Sequence, residues 1–411
     1  MLDPQDTDQG DLRGGHAPWR KGGRPRSRVL DDDRRCEVLV VGAGITGAMV
    51  AEHLTSLGHE VCLVDRERPG FGSTAASTAM LQWEIDRSLT ELTNLYGFER
   101  AANIYRQSLQ AVTGLRALVG AEQLPCDFRP RQSLYLASGD GTGAAELRAE
   151  HALRERAGLP GFYLDHPALL REFGIAREAA ILSPGSAEAD PMCLAHTLLA
   201  TAIRRGAILY DGEATRFEAI GGGLAVGLAD GQTIEAERVV LATGYVMPDC
   251  VVTDMHRASS SWAIATPPQK PQVLWPGRPL IWEATTPYFY ARTTTDNRII
   301  IGGEDDPDLI EPAERDAAMP AKSERILRQL KALCPDAELR ADYSWSGAFS
   351  ETSDGLPLIG RVRGYPHLFA AYGYGGNGIT FSFLAARMIA RMIAGADEPW
   401  YGDLAVDRPK P

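Results

Sequence analysis

The sequence predicts an α/β protein with two domains, in which a Rossmann-like βαβ domain is joined to a mixed α+β domain. Three features of the chain support this fold class. An apolar strand runs into the motif Gly42-x-Gly44-x-x-Gly47, short β-rich runs lie between residues 261 and 301, and a glycine-rich turn near residue 375 leads into an apolar helix. A chain of 411 residues is long enough to bury a large core and to divide into two domains.

The glycine motif lies in a complete βαβ context. Apolar β-formers at 38–41 precede it, an amphipathic helix that Gly58 is expected to end follows it, and a second apolar run at 61–64 comes next. That run ends in Asp65, which is placed to accept hydrogen bonds from a ribose diol, with Arg66 beside it as a further candidate contact. The combination predicts a dinucleotide site but leaves NAD, NADP and FAD open.

Each residue of the motif has an expected role. Gly42 permits the tight turn, Gly44 lets the backbone approach a pyrophosphate, and Gly47 lets the helix pack closely on the strand. The first helical residues, Ile45 and Thr46, lie where free N–H groups and the positive end of the helix dipole would face the phosphates.

Composition argues against several classes of function. The net charge is −12 and the isoelectric point is near 5.2, so the chain has no general electrostatic attraction for nucleic acid. No apolar run is long enough to span a bilayer. The six cysteines are scattered without a CxxC pair, which predicts neither a disulfide framework nor a zinc site and favours a cytoplasmic protein.

Residues 1–35 differ from the rest of the chain. They are rich in Gly, Pro, Asp and Arg, with a basic patch at 19–26, and no apolar segment that could act as a secretory signal precedes Val38. We therefore expect a disordered N-terminal tail, with contact to an anionic partner as the lesser alternative.

Periodicity and turn signals predict the remaining elements. A loop of small residues at 70–80 could lie flat against a cofactor, and one helix is expected over 88–119. Strand 238–241 runs into Ala242-Thr243-Gly244, and ligands bind at such carboxyl ends in doubly wound sheets. Further strands are expected near 133–137, 208–210, 224–228, 261–266, 280–283, 288–293 and 298–301, with helices over 144–157, about 190–206 and about 315–334.

The segment 369–380 is a glycine-rich turn that opens a helix with an apolar stripe. Gly375, Gly376 and Gly378 permit close approach of the backbone to a flat ligand. The helix N-terminus would stabilise negative charge on a reduced cofactor ring. A tight packing corner is the alternative reading of these glycines.

Together these segments resemble the D-amino acid oxidase-like family of FAD-dependent oxidoreductases, which includes glycine, sarcosine and γ-glutamylputrescine oxidases. The resemblance covers about residues 36–395. It rests on the amino-terminal motif with Asp65, the 241–244 turn, the Asp354-Gly355-Leu356-Pro357 segment and the closing 375–380 turn.

The resemblance implies a discontinuous FAD-binding domain and a substrate domain whose large, mainly antiparallel sheet covers the flavin ring. The implied ranges are 36–98, 184–253 and 346–395 for the FAD-binding domain, 99–183 and 254–345 for the substrate domain, and 396–411 for a C-terminal tail. Besides the motif and Asp65, the implied cofactor contacts are Ser73, Thr74, Ala75, Thr243, Gly244, Gly347, Leu356, Gly375, Gly376, Asn377, Gly378, Ile379 and Thr380. Covalent relatives attach the flavin to a histidine or cysteine that is missing at 72–80 and 345–349, so noncovalent FAD is expected.

Family members transfer a hydride from a carbon beside nitrogen to flavin N5, the imine hydrolyses, and O2 or another acceptor reoxidises the flavin. Amino acid oxidases of the family commonly carry Trp-x-Gly-x-Arg, whose arginine binds the substrate carboxylate. Phe349 stands at the arginine position here. The candidate replacement is Arg292, which alternation places on one strand face with Tyr288 and Tyr290. That face is expected to line the substrate pocket, or alternatively to be solvated.

Sarcosine oxidases also carry a lysine on the strand that matches 298–301, where Ile300 stands in this sequence, so O2 and another electron acceptor both remain open. The sequence thus predicts an FAD-dependent oxidoreductase that acts on a small primary or secondary amine or amino acid, with no nucleic-acid partner and no membrane span. One alternative is a noncatalytic flavin-bound subunit of a larger dehydrogenase. An NAD(P)-dependent dehydrogenase is disfavoured, because it would leave the carboxyl-terminal glycine block without a role.

Overall fold

The structure is a computed structural model, and it describes residues 12–19, 23, 25–138, 143–283 and 288–411. Its strands form two sheets. The strands are β1 (Arg13–Gly15), β2 (Arg28–Val29), β3 (Arg34–Val41), β4 (Val61–Asp65), β5 (Met80–Leu81), β6 (Arg129–Leu136), β7 (Phe162–Asp165), β8 (Ala179–Glu188), β9 (Ile208–Asp211), β10 (Ala214–Ile220), β11 (Gly223–Leu228), β12 (Thr233–Leu241), β13 (His256–Ala265), β14 (Leu280–Glu283), β15 (Phe289–Thr293), β16 (Ile299–Asp306), β17 (Tyr343–Thr352), β18 (Leu358–Val362) and β19 (Tyr365–Tyr372). The helices are α1 (Ile45–Ser56), α2 (Ser73–Ala76), α3 (Leu89–Tyr96), α4 (Phe98–Ala121), α5 (Ala144–Arg156), α6 (His166–Phe173), α7 (Pro191–Arg204), α8 (Pro312–Ala317), α9 (Met319–Leu333) and α10 (Gly378–Ile393).

The first sheet is the Rossmann-like one. Its order is β10-β11-β12-β3-β4-β9-β2, with β19 also paired to β12 and β18 paired to β19. The strands β19, β12, β3, β4, β9 and β2 run parallel to their neighbours in this group. Parallel strands are buried on both faces, which explains the unbroken apolar run at 38–41. The βαβ unit predicted from the sequence is confirmed as β3, α1 and β4.

The second sheet is large and mainly antiparallel, as the resemblance implied. Its order is β1-β17-β13-β16-β15-β14-β6-β8-β5, with β7 paired to β8, and β14 with β6 is its parallel pair. Helix α9 covers one face through Ile326 and Leu330, which pack with apolar strand residues in one core cluster. The opposite face looks toward the carboxyl edge of the first sheet, and the two sheets thereby enclose a common space.

The single helix predicted over 88–119 is wrong, because the chain forms α3 and α4 there. Gly97 separates them with a φ of +81°, a conformation that ends a helix and that glycine adopts readily. Ser88 begins α3 with a capping box to Glu91. The apolar spacing continued across the break, so the periodicity concealed it.

The prediction of a disordered tail over residues 1–35 is wrong for residues 12–19 and also for 28–35, where Arg28–Val29 pair with β9 and β3 begins at Arg34. Arg13–Gly15 pair with Trp345–Gly347 of β17, and Arg13 Nε donates to the Phe71 carbonyl at 2.6 Å. Trp19 is 4% exposed and meets Trp345 edge-to-face at 6.3 Å between ring centroids. Extension of a sheet edge and burial of an indole order this segment. Residues 1–11, 20–22 and 24 of the predicted tail lie outside the described residues.

The C-terminal segment 396–411 also packs on the protein. Tyr401 and Leu404 are buried, and Arg408 forms an ion pair of 2.8 Å with Asp354. Arg408 donates in addition to the carbonyls of Pro357 and Leu356. These contacts fix the loop between β17 and β18.

In the described part of the chain, no helix is both long enough and apolar enough to cross a bilayer.

Candidate active site

A cavity of about 1020 Å³ lies between the two sheets. Ligand clefts commonly enclose about 300–1,000 Å³, so this one can hold a ligand of dinucleotide size. The carboxyl ends of β3, β4, β12 and β19 meet at its edge because parallel strands end on the same side of a sheet. Helices α1 and α10 both begin at the cavity wall.

The glycine motif forms a close turn at the first of these strand ends. Gly42 has a φ of +104°, and a Cβ there would lie 2.3 Å from the Ala242 carbonyl oxygen. A Cβ at Gly47 would lie 1.8 Å from the Gly42 carbonyl oxygen, so helix and strand can approach only without it. Gly42, Gly44, Ile45 and Thr46 line the cavity, whereas Gly47 supports the turn from behind. The tight turn and the close packing of helix on strand are as predicted, and contact with a pyrophosphate stays a prediction.

Asp65 stands at the carboxyl end of β4 and lines the cavity with Arg66. Its carboxylate accepts from Ala43 N at 2.6 Å and from Glu67 N at 2.9 Å. Burial raises the pKa of Asp65 to about 6, so the carboxylate is ionised at neutral pH and can accept further hydrogen bonds. Arg66 lies 3.6 Å from Glu213, which lines the same end of the cavity.

Helix α2 brings two of its three candidate residues to the cavity. Thr74 Oγ1 accepts from Ile45 N at 2.9 Å and thus ties α2 to the start of α1. Ser73 Oγ is buried at the cavity wall and has no hydrogen-bond partner within the described structure. Such an orphaned hydroxyl marks a place for a ligand atom. Ala75, by contrast, is turned into an apolar cluster with Trp19 and is not a cavity residue.

Thr243 and Gly244 follow β12 and line the cavity beside Tyr245. Thr243 Oγ1 lies 2.9 Å from Tyr372 Oη, which links the ends of β12 and β19. Gly244 has a φ of +68°, so glycine meets the turn without strain. Both residues therefore stand where the sequence predicted, at the carboxyl edge of the sheet.

The carboxyl-terminal turn divides into residues that line the cavity and residues that anchor the turn. Gly375, Gly376, Gly378 and Ile379 belong to the first group. Asn377 and Thr380 belong to the second and are absent from the wall: Asn377 Nδ2 donates to the carbonyls of Gln82 and Glu84, and Thr380 Oγ1 donates to that of Gln82.

The predicted flavin contacts Gly347 and Leu356 have different surroundings. Gly347 lines the cavity, and a Cβ there would lie 2.8 Å from the Ala76 Cβ. Leu356 is fully buried away from the cavity, and its backbone bonds to Asp354 and Arg408. Leu356 therefore supports the neighbouring loop and does not stand where a ligand could touch it.

Three of the four residues predicted for the substrate pocket, Tyr288, Tyr290 and Phe349, line the cavity from β17 and from the start of β15. The fourth, Arg292, was predicted to line the pocket but does not. It shares their strand face but lies beyond the wall, where it donates to the carbonyls of Thr78 at 2.6 Å and Ala189 at 3.0 Å.

Arg292 also lies 3.6 Å from Glu188 and sits over the Trp19 ring at 5.3 Å from its centroid. Its guanidinium is thus occupied by protein partners, and the predicted contact with a substrate carboxylate is wrong. The alternation of side chains along the strand correctly predicted that Arg292 shares a face with Tyr288 and Tyr290. It could not predict that other segments of the chain cover that face at Arg292.

Among the acidic residues that line the cavity, sequence reasoning missed three in particular: Asp86, Asp305 and Glu351. Asp86 Oδ2 accepts from Gly376 N at 2.7 Å and so touches the glycine turn. Burial, aided by the neighbouring carboxylates, raises the pKa of Asp305 to about 6 and also raises that of Asp86. The run Gly302-Gly303-Glu304-Asp305-Asp306 was visible in the sequence, but nothing in it showed which acid faces inward.

A dinucleotide cradle that opens onto the sheet of a second unit across a shared cavity is the architecture of a flavin-dependent oxidoreductase. The family model for FAD dependent oxidoreductases (the DAO family) matches residues 37–392, and the chain belongs to this family.

The chain is 27% identical to gamma-glutamylputrescine oxidoreductase of Escherichia coli (strain K12) over 379 residues, which are 90% of this chain and 86% of that protein. It is 26% identical to glycine oxidase of Geobacillus kaustophilus over 379 residues, with 87% of this chain and 93% of that protein covered. The crystal structure of the Geobacillus glycine oxidase superposes with a TM-score of 0.78 at 22% identity, covering 92% of this chain and 100% of that one. The structural likeness concerns the fold.

The protein is therefore an FAD-dependent oxidoreductase, and its cavity fits the cofactor. The orphaned Ser73 hydroxyl, the glycine cradle at 42–47 and the start of α1, whose N-cap Gly44 has no side chain to bond the helix N–H groups, lie at one place, as a pyrophosphate requires. Asp65 offers acceptor atoms beside them, and the glycine turn at 375–378 lines the cavity with backbone that a flat ring could approach closely.

Proposed function

We propose that the enzyme oxidises the C–N bond of a primary or secondary amine. The proposal is carried by the charge of the cavity wall around Tyr288, Tyr290 and Phe349. Carboxylates stand there, and the arginines among the described lining residues, Arg66 and Arg216, stand at the Asp65 end instead. A substrate carboxylate would find no described cationic partner beside the aromatic wall and would be repelled by these carboxylates, whereas an amine substrate brings no negative charge there.

FAD held in this cavity would supply a two-electron acceptor for a hydride from the carbon beside nitrogen, with O2 (giving H2O2) or another acceptor as the final oxidant. Loss of the hydride from the neutral amine leaves an iminium, which releases a proton to give an imine. Water then hydrolyses the imine to a carbonyl product and ammonia or an amine.

The residues of this chain bind and orient the reactants. The starts of α1 and α10 direct their positive dipole ends into the cavity, where they favour negative charge on a phosphate or a ring. Tyr288, Tyr290 and Phe349 form an aromatic wall that excludes water from the reacting carbon. Family relationship and wall chemistry together support an amine as the group that is oxidised.

The test is an anaerobic flavin-reduction screen on the purified chain alone. We expect a yellow protein whose flavin absorbance bleaches with amines and recovers on admission of an electron acceptor. N-methyl amino acids and D-amino acids serve as the carboxylate-bearing comparison set. Reduction by amino acids and not by simple amines would contradict the proposal, and a flavin that no amine reduces would favour a noncatalytic subunit. Recovery in air separates O2 from another acceptor.

A further inference from the structure

The cavity holds a carboxylate group of three residues contributed by separate parts of the chain, hereafter the acidic pocket. Asp305 comes from β16, Glu351 from β17, and Asp86 from the segment after β5. Within the described residues none of the three forms a close ion pair, and Asp305 and Asp86 feel only the more distant positive charges of Lys322 and Arg87. Three carboxylates in a shared cavity repel one another, and a cation would relieve the repulsion.

Asp305 is directed into the cavity by a distortion of β16. The pairing of β13 with β16 shifts register between Ser260 and Trp262, and Glu304 in the bulge has a φ of +60°. The two acids that flank Asp305 are neutralised by α9: Glu304 pairs with Arg325, and Asp306 lies 3.0 Å from Lys322 Nζ. Of three consecutive acids, the middle one is thus left to face the cavity.

Two further features of the wall point to a ligand. The amide Nε2 of Gln82 is buried at the cavity wall without a hydrogen-bond partner in the described structure, and the residue is 9% exposed. Because an amide N–H only donates, its partner in a ligand is an acceptor such as a neutral amine nitrogen, and not an ammonium. Asn377 anchors Gln82, and the adjacent Gly376 bonds to Asp86, so the orphaned amide and the acidic pocket share one end of the cavity. The rings of Tyr288 and Tyr290, 5.6 Å apart between centroids, add faces that attract an ammonium.

Hydride loss from carbon requires the reacting nitrogen to be neutral, because its lone pair forms the C=N bond. A monoamine in its reactive form therefore carries no positive charge, and it does not relieve the repulsion among the carboxylates of the acidic pocket. We infer that the substrate is an aliphatic diamine, whose second ammonium group binds the acidic pocket while its neutral nitrogen faces the flavin. The inference rests on the proposed function and adds the substrate class. The product retains the ammonium: one end becomes an aldehyde, and ammonia leaves.

The experiment compares molecules that differ only at the far end. FAD-loaded protein is mixed anaerobically with 1,4-diaminobutane, butylamine or 4-aminobutyrate, and the limiting rate of flavin reduction and the Kd are obtained from the saturation curve. We expect the Kd for butylamine to be about 10-fold or more above that for the diamine, from the loss of a charged hydrogen bond. 4-Aminobutyrate should bind more weakly still. Diamines of three and six carbons, each beside its monoamine, cover other spans.

Variants assign the effect to the acidic pocket. Asp305→Asn should raise the Kd for 1,4-diaminobutane about 10-fold and raise the Kd for butylamine much less. The diamine-induced rise in melting temperature should shrink in parallel. Asp306→Asn is the matched control, since its carboxylate pairs with Lys322 outside the cavity and should show no diamine-selective change. Glu351→Gln replaces Asp305→Asn if that variant loses FAD.

The outcomes separate the two proposals. Equal Kd values for diamine and monoamine, or an equal loss on both in Asp305→Asn and Glu351→Gln, would overturn the diamine site and leave amine oxidation intact. A flavin that no amine reduces would overturn the proposed function itself.

Discussion

Arg408→Met should destabilise the protein through a contact far from the reacting groups. The Arg408 guanidinium binds the buried Asp354 carboxylate through Nε and Nη2, both at 2.8 Å. Burial alone would raise the pKa of Asp354, but the bonds from Arg408 hold that pKa below its usual range. This contribution is therefore present above the unfolded pKa of about 4 and is lost as the pH falls through the folded value.

The loss of stability in Arg408→Met depends on the hydrogen bonds that Asp354 keeps. Breaking a buried ion pair by removing one partner costs about 3–5 kcal/mol. Asp354 still accepts from Thr352 Oγ1, Leu356 N and Tyr96 Oη, so we expect the lower end of that range. With about 2.1 cal/mol/K of unfolding entropy per residue and 411 residues, about 3 kcal/mol lowers Tm by roughly 3–4 °C.

Thermal unfolding of the FAD-loaded variants at pH 7, at one scan rate, measures this shift. Arg391→Met is the control, because Arg391 and Glu398 form an exposed ion pair of 2.7 Å in the same part of the chain. Exposed pairs contribute about 0–1 kcal/mol, so its Tm should change by about 1 °C or less. Equal melting of the two variants would refute the assignment of Arg408 to the buried network.

Three other outcomes are expected. FAD affinity should fall between pH 7 and pH 5, because protonation of Asp65, whose pKa is about 6, removes the negative charge that makes it a strong acceptor for the expected ribose hydroxyls; fluorescence titration should show a flatter profile in Asp65→Asn. Gly47→Ala should purify without flavin absorbance, since its Cβ would meet the Gly42 carbonyl, whereas Gly120→Ala, at a helical position with nothing within 4 Å of the added Cβ, should stay yellow. Arg292→Met should lower Tm by a few degrees, a cost of about 3 kcal/mol because Arg131 still pairs with Glu188, without any selective loss of carboxylate substrates.

The Rossmann unit could be predicted because its signals are local. The strand at 38–41, the motif after it and Asp65 fall within one βαβ unit. The apolar residues and glycines there are the residue types that the backbone needs at those positions. The start of α10 was predictable for the same reason. Family resemblance then supplied the connection between the two ends of the chain, which no periodicity contains.

The substrate end of the cavity could not be predicted in the same way. Asp86 and Asp305 are more than two hundred residues apart in sequence, and a bulge decides that Asp305 faces inward while Asp306 does not. The prediction for Arg292 was wrong although its strand face was right. That face also lines the cavity, but Trp19 and Glu188 bury the Arg292 side chain beyond the cavity wall. Sheet register, bulges and long-range pairing fix these side chains, and a single sequence does not state them.

The long separation of the cavity's parts has a consequence for synthesis. Strand β3 lacks its neighbour β12 until residue 241 has been translated, and Arg408 follows Asp65 by 343 residues (408 − 65). At roughly 5–20 residues per second, that interval is about 17–70 s on the ribosome. During it the cofactor cradle is present without its ring-binding turn, so the nascent chain exposes apolar strand edges that FAD cannot yet cover. We therefore expect complete binding of FAD only after the ring-binding turn at 375–380 has been translated.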